Sequence, residues 1–163
     1  MNFKKINNGW APEPNAPYPT VFKKNTNIDL MFFLNPFIYD NTNDDDIGIL
    51  KFKNCLKFRL GSPNSDDFYY GNFRFKTDKI EFGEAYEIIN SNWLSDFPND
   101  EISISKKLDI VNIDLKHFIV FMRDDCFECI AEEFEFKNIG ESKSFDDQIK
   151  LRSELSELIV TTY

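Results

Sequence analysis

Histidine is almost absent from this sequence, with His117 the single example, and cysteine is scarce, with Cys55, Cys126 and Cys129. A structural zinc site takes four N or S ligands, so all four of these side chains would have to meet at one point. An odd number of thiols also argues against a disulfide framework. The opening MNFKKINNGWAPEP carries lysines but no apolar stretch behind them, so the expectation is a chain without a secretory signal, working in the cytoplasm. No apolar run approaches the ~20 residues of a membrane span. Six glycines leave little material for phosphate-cradling loops. Positive charge is outweighed, with a net charge of −9, which excludes general binding to nucleic-acid phosphates. The expected inventory is therefore no cofactor, no metal, no membrane and no nucleic acid.

What is present points to β structure. Aromatic residues make up 16% of the chain and 18 residues are Phe, a side chain that suits a pleated surface. A chain of 163 residues is most simply one domain, 1–163. The charge is uneven. Residues 1–27 hold four lysines against Glu13, whereas beyond residue 27 there are 27 acidic and 15 basic residues. An acidic surface of that kind steers a basic protein partner at long range.

The segment WAPEPNAPYPT holds four of the seven prolines, so residues 1–27 read as an N-terminal arm with Trp10 and Tyr18 as pegs. Residues 28–136 read as a β-rich body. Ile28–Leu34 is an apolar run of strand length, and Asp40–Asp46 is an acidic loop without the ligand order, glycine or closing Glu of a calcium loop. From Gly48 to Gly61, Leu50, Phe52, Leu56, Phe58 and Leu60 share one parity, interrupted by Asn54, while lysines and Arg59 share the other. That is one half-buried strand. Phe73 and Phe75 alternate with Arg74 and Lys76, and with 80–88 they suggest a hairpin or meander. Asn90-Ser91 can cap a short helical turn that stops at Pro98. Residues 99–116 fit an edge strand or a loop equally well. At the end, Ser144 with Asp147 resembles a capping box, and Ile149, Leu151, Leu155, Leu158 and Ile159 share one side of a helix over 144–160.

The stretch KHFIVFMRDDCFECIAEEFEF contains the C-x-x-C pair Cys126 and Cys129. It reads as a hairpin with its turn at Arg123–Asp125. Residues three apart on a strand point to opposite faces, so these thiols could not share an ion. A redox C-x-x-C opens a helix instead. His117 beside Asp124, Asp125 or Glu128 could do general acid–base work, but no Ser in a nucleophile-elbow setting accompanies it.

Three motifs, L-G-S-P-N-S-D-D (Leu60–Asp67), N-S-N-W-L (Asn90–Leu94) and H-F-I-V-F-M-R-D-D-C-F-E-C-I-A (His117–Ala131), resemble, in order, those of a family of small uncharacterised bacterial proteins. Gly61, Pro63, Asn64, Asn90, Ser91, Trp93, His117, Asp124, Phe127, Glu128 and Ala131 match the family's motif positions. A second histidine of that family is Asn72 here. The resemblance implies that His117, Asp124, Glu128, Asn90 and Trp93 converge on one polar patch at a sheet end. It associates the chain with the immunity and accessory proteins that accompany bacterial toxins.

The expected fold is α+β: a curved antiparallel sheet of about six to eight strands with a C-terminal amphipathic helix packed on it, or alternatively a lipocalin-like barrel. The expected function is a cytosolic protein-interaction module, in particular an immunity-type inhibitor of a basic toxin, with no catalytic residue assigned. The rival is a hydrolase or small-ligand-binding protein centred on His117 with Asp124 and Glu128.

Overall fold

A computed structural model describes residues 1–75, 77–104, 113–141 and 144–161. Among the described residues eleven strands run Asn2–Lys5 (β1), Thr20–Lys24 (β2), Asn27–Phe33 (β3), Asp46–Lys53 (β4), Lys57–Gly61 (β5), Ala85–Ile89 (β6), Ile102–Ser103 (β7), Lys116–Phe121 (β8), Cys126–Ala131 (β9), Glu133–Glu141 (β10) and Leu158–Thr161 (β11). Helices are Ser65–Tyr69 (α1), Trp93–Asp96 (α2) and Phe145–Ser153 (α3). All named strand pairs are antiparallel. They form two sheets, in the orders β1-β6-β8-β9-β5-β7 and β10-β4-β3-β2-β11. The α+β class holds in this broad form. The single sheet becomes two, and neither closes, so the lipocalin-like barrel is set aside.

The two sheets share one core. Leu30, Phe32, Leu50 and Phe52 of the second sheet meet Phe58, Phe118, Val120 and Phe127 of the first. Phe52 lies 5.6 Å from Phe118 and 5.2 Å from Phe127, centroid to centroid. Each such side chain, taken from water, is worth about 1.5–3 kcal/mol. Gly48 lets this seam close tightly, because a Cβ there would stand 2.6 Å from Leu34 Cδ2 and the Leu34 side chain would have to move.

The parity read from Gly48 to Gly61 holds for Leu50, Phe52, Phe58 and Leu60, but this is not one strand. Asn54, at φ +46°, ends β4, and the chain resumes as β5 in the other sheet. Its neighbour breaks at the same level: the expected strand Cys126–Phe136 divides at Glu132 into β9 and β10. Lys57 pairs with Ile130 and Lys53 with Glu133, so three residues on one side oppose two on the other. This one-residue excess is a bulge, which bends an antiparallel pair. Asn54 Nδ2 donates to Glu132 Oε2 at 2.6 Å and fastens the corner. The result is a long antiparallel ribbon, 46–61 with 126–141, belonging to both sheets.

Other expectations are corrected. Residues 72–84 contain no strand among the described residues. Phe73, Phe75, Ile80 and Phe82 instead fold over the outer face of the first sheet, against Ile119 and Phe121. The arm 1–27 supplies β1 and β2, one to each sheet, and its peg Trp10 is buried, stacked on Phe136 at 4.5 Å. The helix over 144–160 stops at Ser153, with the Ser144 cap in place (Asp147 N–Ser144 Oγ 2.9 Å). Leu158 and Ile159 belong to β11, paired with β2. Phe145 and Ile149 face Phe22 and Met31, whereas Leu151 and Leu155 are 54% and 60% exposed. Within residues 99–116, Ile102–Ser103 is an edge strand on β5, and residues 105–112 lie outside the described residues.

Candidate functional site

The strand period of two divides the first sheet's residues cleanly. Phe127, Cys129 and Ala131 of β9 face the shared core, so Cys126, Glu128 and Ile130 face out. On β8, Phe118 and Val120 face in and His117, Ile119 and Phe121 out; on β5, Lys57 and Arg59 face out. Cys126 and Cys129 accordingly sit in different apolar clusters on opposite faces, and burial pushes both thiols well above their ordinary pKa.

The outer face thus carries a row of polar side chains, Lys57, Arg59, Glu128 and His117, all buried. Buried charges need partners, and two lid segments supply them. From residues 62–84, Arg74 grips Glu128 with both arms, Nη1 to Oε2 at 2.9 Å and Nη2 to Oε1. From residues 90–101, Asp100 takes the Arg59 fork (3.1 and 3.2 Å) and Glu101 takes Lys57 at 2.9 Å. Lys57 Nζ also lies over the rings of Trp93 (5.3 Å) and Phe97 (4.8 Å).

His117 is the node of this layer. Its Nε2 lies 2.5 Å from Glu128 Oε1, and its Nδ1 lies 2.6 Å from Ser91 Oγ. The imidazole is held between Phe97 and Phe75, at ring distances of 5.6 and 6.2 Å. Burial by itself would raise the Glu128 pKa, but hydrogen bonds from His117 and then Arg74 outweigh it and hold the carboxyl below its ordinary value. A carboxylate at Nε2 requires the proton on that nitrogen, and in the neutral ring Nδ1 is left to accept from the Ser91 hydroxyl. Chemically this is a hydroxyl–imidazole–carboxylate relay whose acid is itself neutralised by a guanidinium.

Of the residues grouped by the sequence, His117 and Glu128 meet. Trp93 is half-buried in the same lid, one residue on from Asn92, which begins α2 without a side-chain cap. Asn90 does not enter the network or cap the helix; it is an exposed turn residue at φ +57°. Asp124 is brought elsewhere. It sits in the β8–β9 turn, 77% exposed and 4.0 Å from Arg123, so the reading that joined it to His117 is corrected. The antiparallel hairpin puts its turn at one end and His117 at the other. Ser91 and Arg74 were missed as partners. Ser91 stands within the N-S-N-W motif and Arg74 between two inward-packing Phe residues, and only the fold brings either to His117.

Asp124 instead lines a groove of about 200 Å³ with residues of the proline-rich segment, Asn15 to Pro19. Two further grooves flank that segment. One, about 390 Å³, is lined by Pro12, Glu13, Ile38 and Tyr69 among others; the second, about 440 Å³, includes Glu13, Tyr18, Phe37, Asp44 and Asp45. Around this ridge Phe37 is 78% exposed, Tyr69 72%, Ile38 56% and Tyr18 47%.

Groups of three or more potential metal ligands are absent among the described residues, and no helix there is long and apolar enough to cross a membrane. No protein-family model matches the chain, and neither a curated protein nor a solved structure matches it.

Proposed function

We propose that the chain is an acidic protein-binding module whose partner is a basic protein, and specifically an immunity-type inhibitor that covers a basic toxin in the cytoplasm. The observation that supports this reading is the proline-rich ridge. Phe37, Ile38, Tyr69 and Tyr18 are exposed beside grooves that also hold Glu13, Asp44, Asp45 and Asp124. Exposed large apolar side chains gathered in one area mark interaction surfaces, and aromatic anchors carry much of the binding energy in interfaces. The carboxylates around them, on a chain of net charge −9, suit a cationic partner and accelerate its approach. The resemblance to small bacterial proteins adds an association with toxin accessory proteins, and the lid over His117 leaves that histidine's ring out of reach of a large partner.

The test is a paired capture. Wild type and a Phe37→Ser/Tyr69→Ser double variant serve as baits in the same extract of the source cells, with neighbouring gene products co-expressed. Wild type retains a basic protein that the double variant loses. The complex weakens as ionic strength rises toward 1 M, where the Debye length is about 3 Å. Identical retention by both baits, or a bound protein that is itself acidic, refutes the reading.

A further inference from the structure

The relay through His117 lies away from the ridge and is not used by the proposed binding surface. A buried Ser–His–Glu line is more than the fold requires, since apolar residues of similar size fill such a layer at no loss of stability. Its two hydrogen bonds, 2.6 Å from Ser91 Oγ to Nδ1 and 2.5 Å from Nε2 to Glu128 Oε1, run through opposite nitrogens of one ring. That arrangement lets imidazole pull a proton from a hydroxyl on one side while a carboxylate stabilises the resulting imidazolium on the other. The ring and the carboxylate are sealed, His117 at 1% and Glu128 at 0% side-chain exposure, while Ser91 is half-buried and so is the one member that solvent reaches. Access at the nucleophile and burial of the base and acid behind it are what acyl transfer needs.

We infer that Ser91 is an activated nucleophile toward small carboxylic esters, with His117 as its general base and Glu128 as the positioning residue. The ester class is inferred from the surroundings: the lid residues next to the relay are aromatic, Phe97 against the imidazole and Trp93 over Lys57, which favours esters with a small apolar acyl or aryl group. In the step, the Ser91 Oγ–H proton passes to His117 Nδ1 as Oγ bonds to the acyl carbon. The carbon–oxygen bond to the leaving alcohol breaks, its electron pair going to the departing oxygen, which takes the proton back from Nδ1. Water then takes the alcohol's place on the half-buried Ser91 side. It gives a proton to the same nitrogen as its oxygen bonds to the acyl carbon. The carbon–Oγ bond breaks with its electron pair going to Oγ, and Nδ1 returns the proton there, releasing the acid and restoring Ser91. Arg74, bonded to both Glu128 oxygens, keeps that carboxyl ionised while its proton donor turns over.

The test uses the full chain with a fluorophosphonate probe, which forms a P–Oγ bond with loss of fluoride, read by intact mass and peptide mapping. Wild type takes one adduct, on Ser91, at a rate that rises with pH through a single ionisation. Ser91→Ala takes none; the side chain is half-buried, so this variant folds. Glu128→Gln slows labelling about 100-fold, in the range of positioned acid–base catalysis, and alters the pH profile, which loss of packing alone does not do. A burst of one equivalent of p-nitrophenolate from p-nitrophenyl acetate accompanies labelling in wild type. The proposal is overturned if wild type takes no adduct at millimolar probe, if Ser91→Ala is labelled equally, or if the labelling rate shows no ionisation.

Discussion

The outer face of the first sheet is covered in two halves by two different kinds of chemistry. Over Ile119, Phe121 and Tyr86 the lid is aromatic: Phe121 lies 5.2 to 5.8 Å from the rings of Phe68, Phe73 and Phe82. Over His117 and Glu128, one strand pair further along, the lid is ionic, with Arg74, Asp100 and Glu101 answering Glu128, Arg59 and Lys57. The apolar half is non-directional and tolerates many pairings; the ionic half works only if each charge finds its own partner. The second kind of cover specifies the position of the lid, and with it the Ser91 hydroxyl, more narrowly than the first.

The contrast can be broken by substitutions on each side. Phe121→Ala removes a side chain with no exposed surface and is expected to destabilise by about 3–5 kcal/mol, measured by chemical denaturation. Glu128→Gln removes the negative charge that Arg74 and His117 share and turns one of the two accepting oxygens into a donor. It is expected to cost about 2–3 kcal/mol, less than a wholly buried broken pair because Arg74 is 28% exposed. If the two effects reversed in size, the ionic half and not the aromatic one would be the main fastening.

The ionic half also carries a pH signature that the aromatic half lacks. The folded-state pKa of Glu128 is depressed, so its contribution is full above the unfolded value, about 4.3 for Glu, and is lost as pH falls below that through the folded value. Asp100, held low by its hydrogen bonds from Arg59, acts with the same sign. Acid titration of stability should therefore steepen below about pH 4, and Glu128→Gln should flatten that slope while Phe121→Ala leaves it unchanged. Asp100 is 68% exposed, and Asp100→Asn should cost only about 0.5–1 kcal/mol. Leu155→Ala, at a position 60% exposed, should change stability by less than about 0.5 kcal/mol; a larger loss would mean that Leu155 is covered by something beyond the described residues.

The division between what was and was not legible in the sequence follows the same line. Alternation placed Phe52 and Phe58 correctly in the core, and it put Cys126 and Cys129 on opposite faces, because a strand's period of two is written into the residues themselves. The His117–Ala131 hairpin was legible for that reason. The corner was half legible: Asn54 stood out as an interruption, yet nothing local said that the chain would change sheets there. The end of the chain misled. Leu151, Leu155, Leu158 and Ile159 fit a helical stripe, but Ile159 to Thr161 are β-branched and pairing with β2 prevails. In the candidate site, Glu128 and His117 are eleven residues apart on one hairpin and could be joined by reading. Ser91 is 26 residues from His117 and Arg74 is 54 from Glu128; such pairs are set by topology, which no local pattern encodes.

The bent ribbon of 46–61 with 126–141 has a consequence for how the molecule comes apart. Neither sheet can dissolve while the other stands without peeling this ribbon at the corner, where Asn54 and Glu132 are bonded and the strands continue unbroken in covalent terms on both sides. The two sheets are therefore one cooperative unit. The amide hydrogens that β4 and β10 donate to each other should exchange at the same slow, globally limited rate as those between β5 and β9, and the same ribbon, built from segments some 80 residues apart in the chain, makes its closure the slow step of folding.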